Sequence, residues 1–184
     1  MFHPKYAITD RLLSNIKRVN SLISELNDRR LPHVVLVEFE KTARAVSTYA
    51  STSIEGNPLP LTEVKKILKS KPAHIRDSEK EVLNYNQALQ KLNKELKEGK
   101  IKLSLNLILQ IQKQVIVGLL PKFESGKLRE KPVVVNNPKT RKVIYLPPDA
   151  KDVKTLMENL LEFINGNRNI IDPLILAGIF HKQM

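Results

Sequence analysis

The strongest constraint on the fold is the spacing of apolar residues, which recur at three- and four-residue steps along most of this sequence. Such spacing is typical of amphipathic α-helices that bury one face in a core. It predicts helices at 10–27, 33–53, 63–68, 78–98, 105–117, 150–164 and from 173 onward. We therefore expect a mainly α protein.

Residues that favour helix ends stand at the boundaries of these segments. The predicted starts carry the capping residues Thr9, Thr62, Ser78, Ser104 and Asp172. Ser78 with Glu81 has the spacing of a capping box, and Pro173 suits the first turn of the last helix. Gly56 and Pro58 predict a sharp end to the second helix.

One stretch of the sequence has a different period. Lys131–Val135 and Arg141–Tyr145 are rich in β-branched residues, and the turn-rich segment Asn136–Thr140 separates them. This pattern predicts a β-hairpin. Because an isolated two-stranded hairpin is marginally stable, we expect it to pack on the helices or to pair with another chain.

The composition argues against disulfides, thiolate metal sites and membrane anchoring. The sequence has no cysteine, and its four histidines, His3, His33, His74 and His181, lack the spacing of metal ligands. The most apolar run, Leu174–Phe180, is far shorter than the roughly 20 residues that a bilayer span needs. We predict a cytoplasmic protein.

The charge balance raises nucleic acid as a partner. The chain has 31 Lys and Arg residues against 19 Asp and Glu residues, a formal net charge of +12. However, the lysines are spread through every segment, and aromatic residues make up 5% of the chain with no tryptophan. A nucleic-acid surface of stacking rings among clustered cations is therefore not indicated. A basic helical nucleic-acid binder stays as an alternative.

Common catalytic motifs are absent from the sequence. Ser125–Arg129 contains a Gly-Lys pair, but it has neither the spacing nor the following Ser or Thr of a phosphate-binding P-loop. No catalytic residue and no metal ligand is assigned.

Three segments in order carry a family resemblance: Ser51–Asn57, Ser125–Arg129 with the hairpin and Pro147-Pro148, and Asp172–His181. They resemble, respectively, the Ser/Thr-x-x-x-Glu-Gly/Asn inhibitory motif, the target-docking flap and the helix before the catalytic loop of the Fic proteins. Alone, Glu55–Pro58 is also an ordinary helix end. The order of all three favours the family.

The resemblance implies a Fic-like helical bundle with one β-hairpin flap and a central last helix that is truncated at its C-terminus. It divides the chain into an N-terminal helical domain at 1–100, which carries the inhibitory motif, and an incomplete Fic core at 101–184.

The resemblance also assigns regulatory residues: Ser51, Glu55, Gly56 and Asn57. In the family, the glutamate pairs with an arginine of the catalytic loop that otherwise holds the γ-phosphate of ATP. Glu55 would take this role, Ser51 would steady the helix end, and Gly56 would permit the sharp exit of the chain.

The hairpin would hold a segment of the target protein by main-chain pairing, as an added β-strand does. The residues assigned to this docking flap are Val133, Val134, Val135, Val143, Ile144 and Tyr145.

Fic enzymes carry a His-Pro-Phe-x-Asp/Glu-Gly-Asn-Gly/Lys-Arg loop directly after the last helix, whereas this sequence ends at His181–Met184. We therefore expect the chain to be inactive alone. ATP and Mg²⁺ serve the complete family enzyme, and neither is assigned to this chain. The expected partners are a target protein and the missing core or a second Fic chain. As an alternative, the chain could supply the inhibitory segment in trans, as an antitoxin does.

Overall fold

The structure is a computed structural model that describes residues 2–99, 101–137 and 139–184. In these residues it contains seven helices and one two-stranded antiparallel hairpin. The helices are α1 (Asp10–Asn27), α2 (His33–Ile54), α3 (Leu61–Lys69), α4 (Asp77–Lys97), α5 (Leu105–Val115), α6 (Ala150–Gly166) and α7 (Pro173–Gln183), and the strands are β1 (Val135–Asn136) and β2 (Val143–Tyr145). The prediction of a mainly helical fold with one hairpin is confirmed.

Three helices begin at the capping residue that the sequence predicts. Thr9 Oγ1 accepts a hydrogen bond from the backbone N–H of Leu12 at 3.2 Å, and Ser104 Oγ accepts one from Leu107 at 3.2 Å. Asp172 accepts from Leu174 at 2.8 Å. Each bond satisfies an N–H group that has no partner within its helix.

The predicted starts of α3 and α4 are wrong. α3 begins at Leu61 after Pro60, so Thr62 lies inside the helix and does not cap it. α4 begins at Asp77, one residue before the predicted cap Ser78.

An ion pair explains the start of α4. The carboxylate of Glu79 accepts the backbone N–H of Arg76 at 2.9 Å, and the Arg76 guanidinium donates to the same carboxylate at 2.6 Å. The side chain of Glu79 therefore folds back over the helix start and has the capping role that was predicted for Glu81. Glu81 contacts a residue far away in the sequence instead.

The chain forms two compact units, Met1–Leu36 with Lys154–Met184, and Val37–Val153. In the first unit the rings of Phe2 and Phe163 meet edge to face, with centroids 5.4 Å apart. Its buried apolar residues are Ile16, Leu160, Leu161, Ile164, Leu176 and Ile179.

α7 differs from the enclosed central helix that its composition predicts. Leu176 and Ile179 are buried, but the side chain of Leu174 is 49% exposed. Within the described chain, one side of this helix is therefore buried and its other apolar side is exposed.

The second unit has a core between α3 and α4. Leu59, Val64, Ile67 and Val82 form a buried cluster, and Tyr49, Leu68 and Leu83 pack against it. α4 also packs against α5, where Asn84 Nδ2 donates to the backbone oxygens of Val115 at 3.0 Å and Val117 at 2.9 Å. Asn84 thus satisfies carbonyl groups at the C-terminal end of α5.

The predicted division of the chain into domains at 1–100 and 101–184 stays a prediction. Its boundary residue, Lys100, lies outside the described residues. No helix in the described part of the chain is both long and apolar enough to cross a membrane.

The Arg76–Glu79 pair makes stability depend on pH. The hydrogen bond from the Arg76 side chain, followed by the one from its backbone, holds the pKa of Glu79 below its ordinary value of 4.5. A lowered pKa adds stability above the unfolded-state value, and this stability is lost as the pH falls through the folded-state value. We expect urea denaturation to show that Glu79→Gln loses less stability than wild type as the pH falls below about 4.5.

Glu124→Gln is the matched control, because Glu124 is exposed and makes no ion pair with the described residues. Its pH dependence should follow that of wild type. If Glu79→Gln also follows wild type, then the pair does not couple folding to pH.

Candidate functional site

The C-terminal end of α2 closes with a glycine-based helix cap. Gly56 has φ of 96°, in the left-handed region that glycine adopts without strain. Its N–H donates to Ser53 O at 3.0 Å, and the N–H of Asn57 donates to Thr52 O at 3.0 Å. This is the bond pattern of a Schellman motif, which satisfies the last carbonyl groups of a helix and turns the chain away.

The side chain of Asn57 anchors this turn to α4. Asn57 is buried, and its Nδ2 donates to Ser78 O at 2.9 Å and to Glu81 Oε2 at 2.8 Å. Its Oδ1 accepts the backbone N–H of Leu59 at 3.1 Å. One amide therefore satisfies groups on two segments, and it fixes where the chain leaves α2.

Ser51 makes a second link between the same two helices. The hydroxyl of Tyr85, on α4, donates to Ser51 Oγ at 2.8 Å. One residue later, Thr52 Oγ1 donates to Thr48 O at 2.9 Å inside α2. The last turn of α2 is thus held from both its own helix and α4.

Glu55 differs from the other residues of this segment. It is exposed, and its side chain makes no hydrogen bond or ion pair with the residues that the structure describes. A negative charge at the C-terminal end of a helix is also unfavourable, because the helix dipole is negative there. The local structure therefore gives Glu55 no stabilising role.

The hairpin is shorter than the sequence predicts. Val135 pairs with Tyr145 and Asn136 with Val143, with an irregularity between Val135 and Asn136. Val133 and Val134 lie outside β1, which corrects the prediction that they are strand residues.

A proline weakens the ladder beyond the observed strands. The register places Val133 across from Pro147, which has no backbone N–H to donate to the ladder. Pairing as far as Val133 would therefore lack one hydrogen bond.

All six residues assigned to the flap are exposed, between 43% and 63% of each side chain: Val133, Val134, Val135, Val143, Ile144 and Tyr145. At the turn, Asn137 Oδ1 accepts the N–H groups of Lys139 at 2.9 Å and Thr140 at 3.1 Å. Pro138 of this turn lies outside the described residues. The hairpin presents apolar side chains and unpaired strand edges to solvent.

Arg129 closes the base of the hairpin. Its guanidinium donates to Lys131 O at 3.3 Å on the side before β1, and to Pro148 O on the side after β2. The N–H of Gly126 donates to Gln112 Oε1 at 2.6 Å, which ties the preceding loop to α5. Ser125–Arg129 therefore acts as the structural entry to the hairpin.

The predicted regulatory residues and the predicted flap residues are not linked to each other. Within the described chain, no hydrogen bond or ion pair joins Ser51–Asn57 to Val133–Tyr145. Nor do three His, Cys, Asp or Glu side chains of the described residues lie close enough to hold a metal ion.

Sequence reasoning missed Tyr85 and misplaced Glu81. Tyr85 lies on the apolar stripe of α4 and reads as a core residue, although a buried tyrosine hydroxyl generally needs a partner. Glu81 reads as a capping residue because Ser78 stands three positions before it. Neither partner, Ser51 or Asn57, is close in the sequence.

Sequence comparison finds distant relatives. The chain is 24% identical over 190 residues to the protein adenylyltransferase Fic of Drosophila grimshawi, which covers 93% of this chain and 38% of the relative. It is 24% identical over 191 residues to the protein of the same name from Drosophila melanogaster, over 94% of this chain and 37% of the relative. The chain thus spans less than two fifths of these relatives. No protein-family model matches it.

Two solved structures share the fold. A Fic family protein from Desulfovibrio desulfuricans G20 superposes with a TM-score of 0.74 at 21% identity, over 99% of this chain and 53% of that protein. A Fic domain-containing signalling protein from Bacteroides thetaiotaomicron gives 0.71 at 20% identity, over 89% of this chain and 61% of that protein. The chain is thus similar in sequence to Fic adenylyltransferases over most of its length, and it shares the fold of these two Fic structures.

Proposed function

We propose that this chain supplies the autoinhibitory and target-docking elements of a Fic protein adenylyltransferase, which transfers AMP from ATP to a hydroxyl group of a target protein. The observation that carries the proposal is the placement of Glu55, an exposed carboxylate without a partner in the described chain, at a helix end that hydrogen bonds fix.

An inhibitory carboxylate has to meet two requirements. It has to be held in place, so that pairing with a cation of the active site costs little ordering entropy, and it has to be free of competing partners. The Gly56 cap and the Asn57 anchor meet the first requirement. The exposed side chain of Glu55 meets the second.

The exposed hairpin supports the docking role. Its strands pair only with each other in the described chain, so their outer edges have free N–H and C=O groups. An extended peptide could add a strand to such an edge, with the main chain giving affinity and the flanking Val135 and Tyr145 side chains giving contact area.

In this proposal the chemistry comes from residues outside this sequence. The 184 residues contain no His-Pro-Phe sequence, and the described ones form no metal cluster. A Fic catalytic segment, joined to the chain or supplied by another protein, would provide the general base and the groups that bind ATP.

The role of Glu55 can be tested by joining the chain to a Fic catalytic segment. We expect Glu55→Ala to raise AMP transfer to protein by about tenfold to a hundredfold, because a charge-assisted pair of about 1.5–3 kcal/mol is removed. Transfer of label from ATP to protein measures the effect. The unfused chain should give no labelled protein.

Glu63→Ala is the matched control, since Glu63 is a nearby carboxylate on α3 outside the motif. It should leave the activity unchanged. Equal activity of wild type and Glu55→Ala, with both proteins folded, would reduce Glu55 to a helix-end residue.

The same proteins separate inhibition within one chain from inhibition in trans. Here the wild-type chain is added as a separate protein to an active Fic enzyme that has no inhibitory segment. Loss of AMP transfer that depends on Glu55 would favour the antitoxin-like alternative. Inhibition in the fused protein alone would favour a regulatory segment of one enzyme.

The residues of the motif should also differ in how much they contribute to the free energy of unfolding. We expect Asn57→Ala to lower the free energy of unfolding by about 1–3 kcal/mol, because it leaves the buried groups around Asn57 unsatisfied. Glu55→Ala should change it by less than about 0.5 kcal/mol, because the side chain is exposed and has no described partner. Urea denaturation measures both. A larger loss in Glu55→Ala than in Asn57→Ala would show that Glu55 stabilises the fold.

A further inference from the structure

A groove in the second unit brings together cations from two helices. It has a volume of about 760 Å³ and lies between α2, α3 and α4. Its charged lining residues are Lys41 and Arg44 on α2, Lys65 and Lys69 on α3, and one carboxylate, Glu38. This cluster is not apparent in the sequence. α2 and α3 contribute two cations each, and two nearby cations are common throughout this evenly basic chain.

The charges in this groove are not balanced within the described chain. Glu38 pairs with Lys41 at 3.7 Å, whereas Arg44, Lys65 and Lys69 make no ion pair with the described residues. Lys65 and Lys69 stand four residues apart on α3, so they lie on the same side of this helix. A bound anion would balance the positive charge that these groups bring to the groove.

α4 adds two side-chain amides to the groove. Asn86 lines it from α4, and the NH₂ group of its amide can donate to a phosphate oxygen, whereas its side-chain oxygen only accepts hydrogen bonds and takes no part in binding an anion. Gln90, one turn along α4, lines the same groove and presents a second amide.

A neighbouring groove has a smaller excess of positive charge. It has a volume of about 970 Å³ between α2 and α4, and it is lined by Arg44, Lys94 and Lys97 together with Glu40 and Glu98. Lys97 is paired with Glu40 at 3.4 Å. The groove with α3 has four cations and one carboxylate, so its charge is less balanced.

We propose that the groove of Lys41, Arg44, Lys65 and Lys69 binds a small ligand that carries several phosphate charges. Its volume lies in the range of roughly 300–1,000 Å³ that is typical of small-molecule sites. Guanidinium and ammonium groups are the usual protein partners of phosphate oxygens. No aromatic side chain lines the groove for stacking with bases, which argues against single-stranded nucleic acid.

Titration calorimetry with inorganic tripolyphosphate tests the proposal. Wild-type protein should bind one equivalent, and Lys65→Gln/Lys69→Gln should bind at least about tenfold more weakly because it loses two charge-assisted contacts. The matched control is Lys122→Gln/Lys127→Gln, which removes the same charge from exposed positions outside the groove and should bind as wild type does.

A third variant should change the affinity for tripolyphosphate in the opposite direction. Glu38→Gln removes the carboxylate of the groove and releases Lys41, so it should tighten binding. A general loss of structure could not produce this gain. Circular dichroism checks that each variant is folded, and amide NMR shifts of Arg44, Lys65 and Lys69 in wild-type protein locate the ligand without any substitution.

Several results would overturn the proposal. These are the absence of saturable binding at millimolar tripolyphosphate, equal weakening in both double variants, or NMR shifts outside the groove. Tighter binding of a single-stranded oligonucleotide than of tripolyphosphate, with the same dependence on Lys65 and Lys69, would instead make this surface a nucleic-acid site.

Discussion

The arrangement of the α2 end depends on the side chain of Asn57. This amide is buried, and it joins the chain after α2 to the first turn of α4 through Ser78 and Glu81. It also holds the N–H of Leu59, a residue of the core cluster with Val64 and Val82. The direction in which α2 ends and the packing of α3 on α4 are therefore coupled through one polar side chain.

Local signals in the sequence account for the helices, whereas the errors come from both local and long-range contacts. Thr9, Ser104 and Asp172 cap their helices because the interaction spans two or three residues. Glu81 has an equally good local pattern, but it accepts a hydrogen bond from Asn57, which lies 24 positions earlier in the chain. Glu79, which pairs with Arg76, caps the helix instead. The predicted hairpin is longer than the observed one, and Pro147 removes a backbone donor from the predicted ladder.

The basic groove shows the same limit for electrostatics. Counting charges along the chain gives an even distribution, since Lys41 and Arg44 are separated from Lys65 and Lys69 by the α2 end and its loop. The packing of three helices brings these cations to one recess. Proximity created by tertiary structure, rather than composition, decides whether basic residues form a site.

Among the four motif residues, Glu55 alone conflicts with its surroundings. Ser51 and Asn57 make hydrogen bonds to α4, and Gly56 has the left-handed backbone that the cap requires. Glu55 has no described partner and sits at the end of a helix where its charge is unfavourable. A residue at which local rules fail, while they hold at its neighbours, is a candidate for a position that function selects. In the proposed function, the other three residues form the frame that holds this carboxylate ready for a cation.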